Sequence, residues 1–115
     1  MNDPAARVFG MNEAEQVYER TWLTVLALAR EDLPLRARLW NAYVSHLAPL
    51  EPGHFPPDLR PLAGSIHDAM TWAEGPDGSA AATMDRVSDE QARKVAALCV
   101  ELFEGVCRHL EPLED

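Results

Sequence analysis

Apolar residues recur at every third or fourth position in four stretches of the chain, which is the spacing of one face of an α-helix. The predicted helices cover residues 13–30, 34–47, 58–73 and 89–110. No neighbouring stretches alternate apolar and polar residues as paired β-strands do. The pattern therefore predicts an all-α fold, and a compact up-and-down four-helix bundle is the simplest way to bury four apolar faces.

The first predicted helix is apolar around most of its circumference, which is typical of a buried helix. Trp22 falls on its most regular stripe, so we expect its indole ring in the core. Trp40 and Trp72 lie off the main stripes of their helices, and they either fill the core as well or form an exposed patch. The stripe expected to face the core consists of Tyr18, Trp22, Val25 and Ala29.

The last predicted helix has the clearest boundaries. Ser88 and Gln91 have the spacing of a capping box, in which each side chain accepts a hydrogen bond from the other residue's backbone amide. Apolar positions then repeat at threes and fours, and Pro112 stops the helix. Cys99 and Cys107 would be about 12 Å apart along this helix. That is too far for a disulfide, so we expect two reduced thiols.

Two connecting segments separate the predicted helices. Residues 48–57 contain four prolines, which exclude a helix, and Leu50 and Phe55 would anchor this Pro-rich connector on the core. Residues 74–87 are predicted to form an acidic loop, because Gly75, Pro76 and Gly78 stop the preceding helix. Within that loop, residues 79–87 are either an extended tether or one further helical turn.

Length and charge narrow the classes of function. The chain has 115 residues and a net charge of −9, so we expect one helical domain over residues 1–115. Residues 1–11 are predicted to be a loosely ordered N-terminal arm. Residues 61–90 contain six acidic side chains and only Arg86 as a base. Such a chain repels phosphate backbones, which disfavours nucleic-acid binding, and it favours a partner with a basic surface.

The expected cellular compartment is inferred from two kinds of apolar segment that do not occur in the sequence. No stretch approaches the roughly 20 apolar residues that span a bilayer, and the first residues show no apolar segment of a secretory signal. Together with the expected thiols, these features predict a cytoplasmic protein. Arginine outnumbers lysine and alanine is abundant, a bias associated with GC-rich bacterial genomes.

Motifs that carry chemistry are largely missing. The four histidines have no metal-ligand spacing, and the glutamate pairs on the predicted helices lack the Glu-x-x-His pattern of di-metal bundles. No Gly-x-Ser-x-Gly nucleophile motif and no glycine-rich phosphate loop occurs. We therefore expect no metal and no cofactor, and we favour a protein that is not an enzyme.

One pair of residues supports an alternative hypothesis. Arg60 and His67 are separated by six residues on the third predicted helix. This spacing resembles the Arg-x(4–6)-His motif of HEPN ribonucleases, small helical proteins whose Arg and His act together on RNA. The resemblance covers eight residues, and Pro61 stands where that family usually carries a polar residue. It implies a ribonuclease or toxin–antitoxin component, with His67 as acid/base and Arg60 stabilising phosphate charge.

The favoured hypothesis is a small binding protein, such as a regulator, an inhibitor or immunity-type protein, or an adaptor, that contacts a basic partner protein. Negative charge, small size and the missing catalytic motifs support it. A self-assembling structural domain, for example a homodimer, is a further hypothesis, because a chain this small buries only part of its apolar surface alone. The residues predicted to contact the partner are Trp72, Asp77, Met84, Asp85 and Asp89.

Overall fold

A computed structural model of the protein describes the backbone of residues 4–110 and the side chains of residues 13–110. This part of the chain contains five α-helices and no β-strand, which confirms the all-α prediction. A π-helical turn, Tyr43–Leu47, continues α2, and the 3-10 helices Pro52–His54 and Pro57–Leu59 lie beyond it. The α-helices are α1 (Pro4–Arg30), α2 (Leu35–Ala42), α3 (Arg60–Met70), α4 (Ser79–Arg86) and α5 (Asp89–Leu110).

The fifth helix arises in the segment that the sequence analysis leaves open. Gly78 has a φ of +103°, a conformation that residues with a Cβ rarely adopt, and α4 begins directly after it. Three consecutive alanines, which have the highest helix propensity, follow Ser79. Of the two alternatives for residues 79–87, the helical one is confirmed and the extended tether is wrong, because residues 79–86 of the predicted acidic loop form α4.

The predicted and observed ends of a helix agree best where capping residues are present. The predicted α5 is confirmed, with the Ser88 amide donating to Gln91 Oε1 at 2.9 Å and the Gln91 amide donating to Ser88 Oγ at 3.1 Å. Helix α1 begins at Pro4, before its predicted start near residue 13. Residues 4–11 of the predicted arm are thus helical, and residues 1–3 lie outside the described part.

Helix α5 is at the centre of the molecule. It packs against α1, α2 and α3, and α1 packs against α2. Leu39 and Ile66, from α2 and α3, are among the most deeply buried side chains. The α5 face that points into this core matches the predicted stripe at five positions: Ala92, Val95, Cys99, Leu102 and Val106.

The core-facing side of α1 differs from the predicted one. Thr21 and Thr24 are 1% exposed, whereas Trp22 is 41% exposed. The two hydroxyls tolerate burial because they donate to carbonyls of their own helix, Thr21 Oγ1 to Val17 O at 2.8 Å and Thr24 Oγ1 to Arg20 O at 2.7 Å. The predicted core stripe is therefore wrong by a rotation of the helix. Among residues 13–30 of α1, the buried positions are Val17, Thr21, Thr24, Ala27 and Leu28.

The Pro-rich connector is fixed to the core at both predicted anchors, since Leu50 and Phe55 are buried. Local hydrogen bonds hold it further. The Glu51 amide donates to His54 Nδ1 at 2.9 Å, and Arg60 Nε donates to the Phe55 carbonyl at 3.0 Å. The connector consequently runs as an ordered segment from the end of α2 to the start of α3.

Candidate functional site

Exposed aromatic side chains cluster where α1 and α5 pack together. The ring of Phe103 lies 5.7 Å from the ring of Tyr18 and 5.8 Å from that of Trp22, measured between centroids. Tyr18 and Trp22 remain 40% and 41% exposed, and Val100, one turn from Phe103 on α5, is 49% exposed. We refer to Tyr18, Trp22, Val100 and Phe103 as the aromatic strip. An exposed apolar cluster of this kind is typical of an interaction surface.

Acidic side chains border the aromatic strip on both helices. On α1, Glu15 and Glu19 stand three residues before Tyr18 and Trp22, so each is a neighbour on the helix surface. On α5, Glu104 stands four residues after Val100, and it forms an ion pair with Arg108 at 3.9 Å. The surroundings of the strip therefore carry more negative than positive charge.

The sequence analysis misses this strip, although the chain contains a signal for it. The first helix is apolar on more sides than packing needs, and two threonines take core positions. Counting those threonines as inward-facing residues would have moved Tyr18 and Trp22 to the outside. Phe103 also fits the apolar repeat that predicts the core face of α5, yet its ring is only partly buried.

Four of the five predicted partner-contact residues lie on the surface. Trp72 is 52% exposed, and Asp77, Asp85 and Asp89 are exposed. Asp77 and Asp85 line a shallow cleft of about 210 Å³ between the turn before α4 and α4 itself. Asp89 lies 3.8 Å from Arg36 Nε and keeps most of its side chain in solvent.

Met84, the fifth predicted contact residue, belongs to the core. Its side chain is only 8% exposed, so it offers no apolar anchor to a partner, and that prediction is wrong. The physical reason is that α4 docks on α2. Arg36 Nη1 donates to the Val87 carbonyl at 2.7 Å, and Leu39 of α2 shares the buried cluster with Met84.

Arg60 and His67 lie at opposite ends of α3, and the structure gives them different neighbours. Arg60 Nε donates to the Phe55 carbonyl, whereas His67 Nδ1 lies 2.9 Å from the Tyr43 hydroxyl. Among residues 13–110 the two side chains share no hydrogen bond. Joint action of Arg60 and His67, which the resemblance to HEPN ribonucleases implies, stays a prediction.

His67 and Tyr43 line a small pocket of about 20 Å³, and the other lining side chains are apolar. Burial raises the pKa of the Tyr43 hydroxyl, with Asp68 and Cys99 adding to the effect. Burial also raises the pKa of the Cys99 thiol to about 12, so this thiol stays protonated and unreactive at neutral pH. Neither the Tyr43 hydroxyl nor the Cys99 thiol is therefore activated as a nucleophile.

A larger cleft of about 420 Å³ lies between α1, the Pro-rich connector and the end of α5. We refer to it as the connector cleft. Its walls are mostly apolar, and Arg60, His54, His109 and Glu13 supply its charged or polar side chains. The remaining lining residues are Ala14, Val17, Gly53, Phe55, Pro56, Pro57, Val106 and Leu110.

At the edge of this cleft, His109 Nε2 lies 2.8 Å from Asp58 Oδ1. The hydrogen bond from His109 lowers the pKa of the Asp58 carboxyl below its ordinary value, and the charges of His109 and Arg108 act in the same direction. The pair joins the end of α5 to the segment before α3, which closes the connector cleft on that side.

No group of three or more potential metal ligands occurs within residues 13–110. Neither Cys99 nor Cys107 forms a disulfide. None of the described helices is long and apolar enough to cross a membrane. Comparison of the chain with protein-family models, curated proteins and solved structures finds no match.

Proposed function

We propose that this protein is a small acidic binding protein, not an enzyme, and that it acts by contacting a basic partner protein. The observation that carries the proposal is the aromatic strip. Tyr18 and Trp22 both pack against the ring of Phe103 and stay partly exposed in a chain with a net charge of −9. Aromatic side chains dominate the binding energy of protein interfaces because they bury much area for few rotatable bonds.

In the proposed interaction, one surface of the protein provides affinity and another raises the association rate. The aromatic strip supplies affinity, because covering Tyr18, Trp22 and Phe103 removes apolar area from water. The exposed carboxylates Asp77, Asp85 and Asp89 attract a basic surface over a longer distance and raise the association rate, whereas the exposed Trp72 adds little to the affinity. Met84 takes no part in this proposal.

A helix with one apolar face and basic flanks is the partner chemistry that fits best. The strip runs along two packed helices, and an amphipathic helix can lay its apolar face on such a surface. Lysine or arginine side chains at the flanks of that helix would meet Glu15, Glu19 and Glu104. A second copy of this chain would bring the same carboxylates together, which disfavours a homodimer at low salt.

Two finer points belong to the same proposal. We infer a cytoplasmic location, supported by two cysteines that form no disulfide. We also propose that α1, α2, α3 and α5 form an up-and-down arrangement, with α4 as an addition between α3 and α2. Contacts of α5 with α1 and α3, and of α4 with α3 and α2, support this arrangement.

The test compares two exposed tryptophans. Immobilised protein captures its partner from a lysate, and the purified partner is then measured by surface plasmon resonance against wild type, Trp22→Ala and Trp72→Ala. We expect Trp22→Ala to weaken binding about 30-fold or more, mainly through faster dissociation, because a hot-spot residue contributes about 2 kcal/mol or more. Trp72→Ala is the matched control, with a small expected effect.

Three results would count against the proposal. Equal binding by Trp22→Ala and wild type would remove the aromatic strip from the interface. Loss of binding in Trp72→Ala alone would move the contact to the α3–α4 side of the molecule. Light scattering that gives a stable dimer, which Trp22→Ala dissociates, would show that the strip is covered by a second copy.

A further inference from the structure

The connector cleft combines an apolar interior with fixed donors at its edge. Phe55, Val17 and Val106 are buried residues that contribute to its walls. Its volume of about 420 Å³ falls within the range of small-molecule sites, roughly 300–1,000 Å³. The cleft shares no lining residue with the aromatic strip.

Arg60 is held in position at this cleft. Its Nε donates to the Phe55 carbonyl at 3.0 Å, which fixes the plane of the guanidinium group. No residue within the described range 13–110 accepts a hydrogen bond from its Nη atoms or forms an ion pair with it. A guanidinium group with its outer edge available is the group best suited to bind a carboxylate through two parallel hydrogen bonds.

His54 adds a second donor. Its Nδ1 lies 2.9 Å from the Glu51 amide nitrogen, from which it accepts a hydrogen bond, and 3.2 Å from the Glu51 carbonyl oxygen. The tautomer that accepts from the amide carries its proton on Nε2, which makes Nε2 the donor. Glu13 is the single carboxylate among the cleft residues, so their charged side chains balance even though the whole chain carries −9.

We propose that the connector cleft binds a small carboxylate with an apolar body, such as a short fatty acid. The carboxylate accepts hydrogen bonds from the Arg60 Nη atoms, and the His54 Nε2–H serves as a further donor. The apolar body lies against Phe55, Val17 and Val106. This site is independent of the partner surface proposed above, because the two have no residue in common.

The test uses octanoate as the probe and NMR of backbone amides and methyl groups as the measurement. We expect saturable shifts confined to the cleft residues, including the methyl groups of Val17 and Val106. Arg60→Gln should weaken octanoate binding about tenfold or more, because it removes charge-assisted hydrogen bonds. Arg86→Gln, at an exposed arginine outside the cleft, is the matched control and should leave binding unchanged.

Further probes and a second variant distinguish the contribution of the carboxylate to binding from that of the apolar contacts. Octanol and acetate should each bind far more weakly than octanoate. Octanol lacks the carboxylate that Arg60 would bind, and acetate lacks the apolar chain that would lie against the cleft walls. Ala14→Trp fills the cleft from an exposed position on α1 and should abolish binding without disturbing the core. This second variant keeps the test valid if Arg60→Gln loosens the connector.

Four outcomes would overturn the proposal. These are octanoate shifts that map to the aromatic strip, equal binding of octanol and octanoate, unchanged binding by a folded Arg60→Gln protein, and no saturable shift at millimolar octanoate. None of them affects the comparison of Trp22→Ala with Trp72→Ala, so failure here and failure of the proposed partner binding are distinguishable.

Discussion

Three threonines are buried in this small core, and each hydroxyl has a partner. Thr21 and Thr24 donate to carbonyls of α1, while Thr83 Oγ1 accepts the Ala73 amide at 3.0 Å. The Thr83–Ala73 hydrogen bond differs from the other two because it joins two segments of the chain, whereas they lie within one helix. It is the polar link between the end of α3 and α4, and both of its residues are buried.

Replacing Thr83 by Val should therefore destabilise the protein by about 1–3 kcal/mol, the cost of leaving a buried amide without a partner. Valine keeps the shape of threonine, so packing changes little. The measurement is urea unfolding, combined with hydrogen exchange of the Ala73 amide, which should become faster. Thr83→Ser keeps the hydroxyl and is the control. A Thr83→Val protein as stable as wild type would show that the bond contributes nothing net.

The Asp58–His109 pair predicts a dependence of stability on pH. The folded state lowers the pKa of Asp58 below its ordinary value of 3.8. The stabilisation is therefore present above about pH 4 and is lost as the pH falls through the lowered pKa. In urea unfolding, Asp58→Asn should be less stable than wild type near pH 6, and the difference should shrink as the pH falls below 3.8 and through the lowered pKa of Asp58.

Asp77→Asn, at an exposed aspartate in the turn before α4, is the control for that experiment. A difference between Asp58→Asn and wild type that stays constant from pH 6 to pH 2 would contradict the assignment. The pair lies at the protein surface, so high salt should also reduce the difference.

At the scale of elements, Gly64 in α3 and Gly105 in α5 have opposite environments. A Cβ on Gly64 in α3 would meet no atom within 4 Å, whereas a Cβ on Gly105 in α5 would lie 2.6 Å from Leu59 Cδ2. Gly105 thus permits the close approach of α5 to the segment before α3. Leu59 is itself buried, so its side chain has little room to move.

Alanine substitutions at these two glycines should therefore change the free energy of unfolding in opposite directions. Gly64→Ala should stabilise the protein by up to about 1 kcal/mol through helix propensity. Gly105→Ala gains the same propensity but should destabilise the protein by about 1–3 kcal/mol, because it overpacks the contact with Leu59. Thermal and urea unfolding of the matched pair measure both effects, and two stabilised variants would refute the close contact at Gly105.

The sequence predicts best those helices whose start, end and buried face are determined by residues within the helix itself. Helix α5 follows from a capping box and one uninterrupted apolar stripe, both of which lie within the helix itself. Helix α4 depends on docking against α2 through Arg36 and Met84, contacts that join distant parts of the chain. Its boundaries therefore could not be derived from periodicity alone.

The orientation of α1 illustrates the same limit for the candidate site. Hydrophobicity favours burying Tyr18 and Trp22, yet the core accepts the smaller Thr21 and Thr24 and leaves the rings against Phe103. Which of two adjacent stripes faces inward depends on the volume available between α1 and α5, a tertiary property. By contrast, exposure of Trp72 and the three aspartates agrees with the turn and charge pattern of the sequence.

For the whole molecule, the net charge of −9 should govern the rate of association with a basic partner. The triple variant Asp77→Lys, Asp85→Lys and Asp89→Lys should slow association at low salt about tenfold or more and leave dissociation nearly unchanged. Stopped-flow or surface plasmon resonance with the purified partner measures both rates. The difference should shrink at high salt.

A control for this variant reverses three carboxylates elsewhere on the surface, with the same change in net charge. Equal slowing by both variants would indicate that total charge matters and that the position of the aspartates does not. Unchanged association of the Asp77, Asp85 and Asp89 variant at low salt would contradict the proposed steering.

The exposure of all three tryptophans has a practical consequence for spectroscopy. Trp22, Trp40 and Trp72 are between 36% and 52% exposed, so each indole already meets water in the folded protein. Native emission should therefore lie at long wavelength, and unfolding should shift it little. A partner that covers the strip, in contrast, should move the emission of Trp22 to shorter wavelength. Intrinsic fluorescence would thus report occupancy of the surface better than it reports loss of the fold.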